Sequence, residues 1–251
     1  MGATTARFYT RHDAGSTGMI NPPSIYHPLN HLSLNILPPF PHTQHSPVYT
    51  IGKRGKESDF IETQPLSPCQ QQQSYTIHTI PRGGETTYHG PGQLVCYPIL
   101  SLRPLSLGAR AYVEALEDAM IQVAGAYGIS ARGRVPGRTG VWVGERKLGA
   151  VGVRISRGVT SHGLALNVTG EPMNWFQRIV ACGAPDKQAT SLETELNRSY
   201  SNSDDISIKM ATTADILTRS LTSRIGYTHV QQLPDVLDLC EQYNIKLKEE
   251  L

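Results

Sequence analysis

The chain has 251 residues, 39% of them hydrophobic and 18% charged, enough to bury one substantial core in a single domain. Its 23 Lys+Arg against 21 Asp+Glu leave a net charge of +2, too weak a basic field to make nucleic acid or an anionic membrane surface the expected partner. No stretch approaches the roughly 18 continuous apolar residues of a membrane span.

Residues 1–45 hold five of the nine histidines, six prolines and a single acidic residue, Asp13, with no apolar periodicity. They are expected to be a disordered or atypical N-terminal segment. Arg7 and Arg11 are a sparse positive charge for a mitochondrial transit sequence. The long N-terminus and a low-complexity insert nevertheless suggest a eukaryotic and hence mitochondrial protein; a bacterial one would be cytoplasmic.

The ordered domain is expected over 46–228, with a helical tail over 229–251. Regular structure should begin at Pro47–Gly52, a β-branched run closed by glycine. Residues 61–74, with Gln70–Gln73, read as the insert. Tyr75–Ile80 and Leu94–Leu100 are expected strands on either side of RGGETTYHGPGQ (82–93), which is too rich in glycine for a helix or an uninterrupted strand.

Ala111, Tyr112, Ala115, Leu116, Ala119, Met120, Val123 and Tyr127 recur at helical spacing, and Gly128 supplies a stop. Gly140–Val143, Lys147–Ile155 and Thr160–Val168 predict a three-stranded meander. A short helix over Asn174–Val180, a capping box at Thr190–Glu193, and helices over 213–225 and 234–243 complete the pattern. Strands mixed with helices in this order imply an α+β or mixed α/β domain.

Three chemistries compete for the glycine-rich stretch. It lacks the spacing of a phosphate loop and leads into a strand, which disfavours a nucleotide. His78, His89 and His162 have no partner at ligand spacing, so no metal is expected. Acyl chemistry on cysteine is the third. Cys69, Cys96, Cys182 and Cys240 form no C-x-x-C pair, which fits a reducing compartment and argues against a zinc knuckle or a disulfide framework.

Most cysteines are inert core residues. Cys182 differs in being followed by Gly183-Ala184-Pro185, a turn able to expose the sulfur. Lys147 opens an apolar, glycine-containing run; such a lysine is usually a solvated charge, but an ammonium aimed into a pocket would lower the pKa of a nearby thiol.

Three blocks in order, RGGETTYHGPGQLVCYPIL (82–100), RKLGAVGVRISRGVTSHGLALNV (146–168) and IVACGAPDKQATSLETEL (179–196), resemble the lipoyl(octanoyl) transferases, with a weaker match at PVYTIGKRG (47–55). Pro81 and Ala181 depart from the family pattern, which commonly has an acidic residue and a proline there.

The resemblance implies a biotin/lipoate protein ligase-like fold, a mixed sheet flanked by helices in one domain. It places the acyl-thioester nucleophile on Cys182 and the lysine that activates it on Lys147. The acyl-binding segments fall on Arg82, Gly83, Gly84, Glu85, Thr86, Thr87, Tyr88 and His89, on Ala150, Val151 and Gly152, and on Gly163, Leu164 and Ala165. His89 and His162 are expected to shape the pocket.

The implied reaction moves octanoate from the phosphopantetheine arm of octanoyl-acyl carrier protein to a lysine of a lipoyl domain. Such domains occur in 2-oxoacid dehydrogenase E2 subunits and the glycine cleavage carrier protein. No further cofactor is expected, because a thioester arrives already activated. Two alternatives stand beside it: an ATP-dependent lipoate or biotin ligase, and a silent protein that binds lipoyl domains.

Overall fold

The structure, a computed structural model, describes residues 42–61, 74–180, 188–199 and 208–226. Two sheets and one long helix organise them. The larger sheet contains β1 (His42–Thr43), β5 (Gln93–Cys96), β6 (Val141–Val143), β7 (Arg146–Ser156) and β8 (Val159–Asn167), in the order β1-β5-β8-β7-β6 and antiparallel throughout. The smaller contains β2 (Val48–Ile51), β3 (Thr76–Thr79) and β4 (Thr86–His89), in the order β3-β2-β4, with β2 and β3 parallel.

The predicted meander is β6-β7-β8, and two-residue turns at Gly144-Glu145 and Arg157-Gly158 separate its strands. Its 9- and 11-residue strands β8 and β7 pair along eight registered positions, from Gly149 with Leu166 to Ser156 with Val159. This hairpin is the rigid element on which the smaller sheet is mounted.

Helix α1 (Ala109–Ala126) covers one face of the large sheet. Tyr112, Ala115, Leu116, Ala119, Met120 and Val123 are buried and recur at the spacing that puts them on one stripe. They pack with Leu148, Leu164 and Leu166 of the sheet and with Leu217 and Leu221 of α4 (Met210–Arg224) in a single core. The stop at Gly128 is a Schellman motif: Gly128 has φ +72°, Gly128 N–H donates to Gly125 O, and Ile129 N–H donates to Ala124 O.

A second core lies on the smaller sheet. Tyr49 of β2, Tyr88 of β4, Trp175 and Ile179 are buried together, although the chain order separates them widely. Tyr88 and Trp175 stack at 5.2 Å with an interplanar angle of 5°, and the Tyr49 hydroxyl donates to Trp175 O at 2.9 Å.

Several elements differ from the sequence-based expectation. Pairing of His42–Thr43 with β5 places ordered chain inside the segment expected to be disordered. The strand expected over Leu94–Leu100 stops at Cys96, because Pro98 has no N–H for the ladder; the chain rejoins the sheet where Leu100 and Thr160 exchange hydrogen bonds. The helix expected over Asn174–Val180 is only α2 (Met173–Phe176), since residues beyond it pair instead with Asp59–Ile61. The cap of α3 (Leu192–Ser199) is Ser191, whose Oγ accepts the Thr194 N–H at 3.1 Å, one residue after the predicted Thr190. The helix expected over 234–243 lies outside the described residues.

Trp175 is 5% exposed and touches both tyrosines of the second core. Trp175→Ala is expected to lower unfolding free energy by about 3–5 kcal/mol in urea titration. A loss below about 1 kcal/mol would mean that this cluster does not hold the smaller sheet.

Candidate active site

Arg82 ties the site together. Its side chain is 7% exposed, and its guanidinium donates to Thr50 O at 2.7 Å, to Thr50 Oγ1 at 2.7 Å, and to Gly83 O at 3.0 Å. The main chain on either side is fixed as well: Lys53 N–H donates to Arg82 O, and Gly83 N–H donates to Val153 O of β7. The RGG segment thus bridges the two sheets.

Glycines make room for that bridge. A Cβ at Gly152 would lie 3.0 Å from Arg82 Cδ, and one at Gly52 would lie 2.6 Å from Arg82 Nη1. Gly163 serves the sheet itself, since a Cβ there would collide with Cys96 O on β5. In this structure these glycines are close to protein, and Arg82 occupies the space beside Gly152.

Strand alternation divides the candidate binding residues. On β4, Thr86 and Tyr88 are the buried positions; Thr86 donates to Asp59 Oδ2 at 2.6 Å, and Tyr88 enters the aromatic core. Thr87 and His89 alternate with them and occupy the partly exposed positions. On the hairpin, Leu164 lies in the α1 core and Val151 packs against it. Ala150, Gly152, Gly163 and Ala165 pair across β7 and β8 at the alternate positions and supply a face of small residues. Gly84 and Glu85 lie in the turn before β4, where Glu85 meets Arg54 at 3.7 Å. The structure therefore brings Arg82, Gly83, Thr87, His89 and the small-residue face to one region, while four candidate side chains, Thr86, Tyr88, Val151 and Leu164, point into packing.

His89 Nδ1 lies 2.7 Å from Gln93 Oε1, and its ring is 5.9 Å from that of His45. Burial pushes its pKa down to about 3 from an ordinary 6.5; the bond to Gln93 opposes this, and the charges of His45, Arg82 and His162 add to it. His162 is likewise lowered, first by burial and then by Arg82 and Arg154. His45 Nε2 meets the Tyr97 hydroxyl at 2.5 Å, and burial raises that phenol to about 12, so it remains protonated.

Lys147 sits at the start of β7. Its Nζ lies 5.3 Å from the centre of the Trp142 ring, within cation–π range, and its Cε is 2.8 Å from where a Cβ on Gly140 would be. Its main chain holds the strand-like return Gln188–Thr190 in parallel register: Lys147 N–H donates to Gln188 O, and Thr190 N–H donates to Lys147 O, both at 2.9 Å. Cys182 lies outside the described residues. The described chain on its N-terminal side is also anchored, with Val180 N–H donating to Asp59 O at 2.7 Å.

Residues that sequence reasoning did not single out support this return. Glu195 of α3 receives the Arg146 guanidinium in a two-pronged pair, Nε to Oε1 at 2.8 Å and Nη2 to Oε2 at 2.7 Å, and also the Thr190 hydroxyl. Burial works against the Glu195 carboxylate, but Arg146, Thr190 and Arg198 outweigh it and hold its pKa below the ordinary value. Asn167 Nδ2 donates to Thr190 O at 2.9 Å, and Gln93 Nε2 donates to Asn167 Oδ1 at 2.9 Å. The available signal was a polar residue inside each matching block at a position the strand pattern buries, since buried polar groups come in bonded sets.

A large antiparallel sheet backed by one long helix, with a smaller sheet bridged to it by a glycine-flanked arginine, defines a lipoate protein ligase-like domain. The family model of the lipoyl protein ligase A/B catalytic domain matches residues 35–214. Over 153 residues, 61% of this chain and 63% of the relative, the sequence is 50% identical to the mitochondrial octanoyltransferase LIP2 of Arabidopsis thaliana. Over 203 residues, 78% of this chain and 80% of the relative, it is 43% identical to an octanoyltransferase of Thermobifida fusca. The chain belongs to the octanoyltransferases of this family.

Among solved structures, lipoate-protein ligase A bound with ATP superposes with a TM-score of 0.59 at 10% identity, covering 81% of this chain and 79% of that one. A bipartite lipoate protein ligase of Thermoplasma acidophilum, solved with its E2 lipoyl domain, gives 0.51 at 12% identity over 81% and 78%. At those identities the likeness is one of fold.

The neutral imidazoles carry a pH dependence. On unfolding His89 regains its ordinary pKa, so between about 6.5 and 3 the unfolded chain binds the extra proton. Its contribution to stability is complete above about pH 6.5 and is lost as pH falls, and His162 acts in the same direction. The urea midpoint should fall from pH 7 to pH 5, and the fall should be smaller in His89→Gln. A wild-type midpoint flat over that range would contradict the burial of neutral rings.

Proposed function

We propose that the protein transfers an octanoyl group from octanoyl-acyl carrier protein to the target lysine of a lipoyl domain, by way of a thioester on Cys182. The observation that supports this reading best is the backbone ladder between Lys147 and Gln188–Thr190, which draws the chain following the cysteine segment alongside the lysine.

In the first step the Cys182 thiolate attacks the carbonyl carbon of the acyl-carrier thioester. A new C–S bond forms, the old one breaks, and the phosphopantetheine sulfur leaves as a thiol, taking its proton from the Lys147 ammonium. One thioester replaces another, so little driving force is lost. In the second step the ε-amine of the lipoyl-domain lysine attacks the acyl-enzyme. The C–N bond forms, the C–S bond to Cys182 breaks, and the amine proton passes to the Lys147 amine, restoring the ammonium beside the Cys182 thiolate.

Lys147 lowers the thiol pKa in the resting state, and the acyl chain lies on the β7–β8 face that carries Ala150 and Ala165, beside the contact of Gly152 with Arg82. Each buried CH₂ contributes about 0.8 kcal/mol, so an octanoyl tail contributes several kcal/mol to binding. E2 subunits of 2-oxoacid dehydrogenases and the glycine cleavage carrier protein are the expected acceptors. A mitochondrial location is supported by the plant relative, whose name carries that compartment.

Intact mass spectrometry tests the chemistry. With octanoyl-acyl carrier protein, an apo lipoyl domain and no ATP, the lipoyl domain should gain one octanoyl group, and Cys182→Ser should abolish the gain. Undiminished transfer by that variant would remove the acyl-enzyme, and transfer from free octanoate only with ATP would indicate the ligase reaction instead.

Iodoacetamide labelling of Cys182 should continue below pH 7 in the wild type. In Lys147→Ala it should slow about tenfold for each unit by which the thiol pKa returns toward its free value of about 8.5. Equal labelling of the two proteins would take Lys147 out of the mechanism.

A further inference from the structure

A buried line of hydrogen bonds joins His89 to the ladder at Lys147, and its polarity is fixed from one end. Thr190 O, a carbonyl, can only accept, so Asn167 presents its Nδ2 to it at 2.9 Å. Asn167 therefore turns Oδ1 toward Gln93, which must meet it with Nε2, at 2.9 Å. The same Gln93 nitrogen donates to Tyr88 O at 3.2 Å, a second acceptor that enforces the same orientation. Gln93 is left with Oε1 facing His89 Nδ1 at 2.7 Å, and an amide oxygen accepts. His89 Nδ1 must carry the hydrogen.

Gln93 and Asn167 are 1% and 3% exposed, so water does not compete for these bonds. Among the described residues no hydrogen-bond partner meets His89 Nε2. The charged or titratable groups acting on the ring are His45, Arg82 and His162, all of which disfavour a second proton. The ring thus offers one lone pair, on Nε2, while its one N–H is engaged with Gln93 Oε1.

Resting on the acyl-transfer reading above, we propose that Gln93 and Asn167 are positioning residues that lock His89 in its Nδ1–H tautomer and bind it to the Thr190–Lys147 ladder, so that Nε2 is a fixed hydrogen-bond acceptor in the site. An acceptor suits a donor such as the N–H of the attacking amine. It repels a carbonyl or an oxyanion, so His89 is not part of the oxyanion hole. The line ends on Thr190, whose N–H is bonded to Lys147 O, so the acceptor and the lysine are set by one connected structure.

Nitrogen-15 NMR of the full chain labelled at histidine tests the tautomer without any substrate. Between pH 5 and 8, His89 should show a protonated Nδ1, an unprotonated Nε2 and no titration. An Nε2–H tautomer, a mixture of the two, or a ring titrating near 6.5 would overturn the proposal.

Gln93→Glu places a carboxylate against the Nδ1–H, so His89 should acquire its second proton at least ten times more readily. Nε2 then becomes a donor, and the transfer rate should fall as pH drops through the new pKa. A folded variant whose rate–pH profile superimposes on that of the wild type would overturn the positioning role. The tautomer is read in the resting protein; an Nδ1–H ring in a wild type that transfers no octanoate would count against the acyl-transfer reading alone.

Discussion

The structure depends on one buried cation between two sheets. The fork of Arg82 donates to the carbonyl and hydroxyl of Thr50 and to Gly83 O. An unsatisfied guanidinium at this depth would cost several kcal/mol, so those acceptors are obligatory. They commit β2, the RGG turn and β7 to one arrangement, and the lysine substitute that keeps the charge would lose the fork. The bridge also spreads positive charge over the region, which is one reason His89 and His162 remain neutral.

Neutral histidines beside a permanent cation divide the labour of a site. Arg82 supplies a field that never switches off, and the imidazoles supply lone pairs that do not become charged near neutral pH. Proton transfer is then left, in the reaction proposed above, to the cysteine and the lysine. This division matches a reaction whose substrates are a thioester and an amine and whose acyl group carries no charge.

Much of the architecture was legible because it rests on local rules. The meander has three β-prone runs with two-residue turns, and α1 has an apolar stripe ended by a glycine in the left-handed conformation. The β-prone run Lys147–Ile155 placed Lys147 at the head of a strand, where the structure has it. What was not legible depends on pairings distant in sequence. The stack of Tyr88 on Trp175 crosses 87 residues, and no periodicity announces it. The same holds for the Gln93–Asn167 bond, 74 residues apart. Alternation, by contrast, was readable in principle: a contiguous run such as Thr86–His89 on a strand cannot present every side chain to one ligand, and Thr86 and Tyr88 face the other way.

The ladder at Lys147 positions the returning chain through the backbone. Neither the sheet nor Arg82 carries a group that consumes ATP or forms a thioester; they set a floor, a wall and a lysine at a strand's edge. Whatever chain returns beside that lysine receives its position from backbone hydrogen bonds, which do not depend on side-chain identity. Here Thr190 and Glu195 secure the return from the far side, and Arg146 anchors Glu195 through the residue adjacent to Lys147. The frame is therefore independent of the side chains it carries, and the fold is the part that 10–12% identity still preserves.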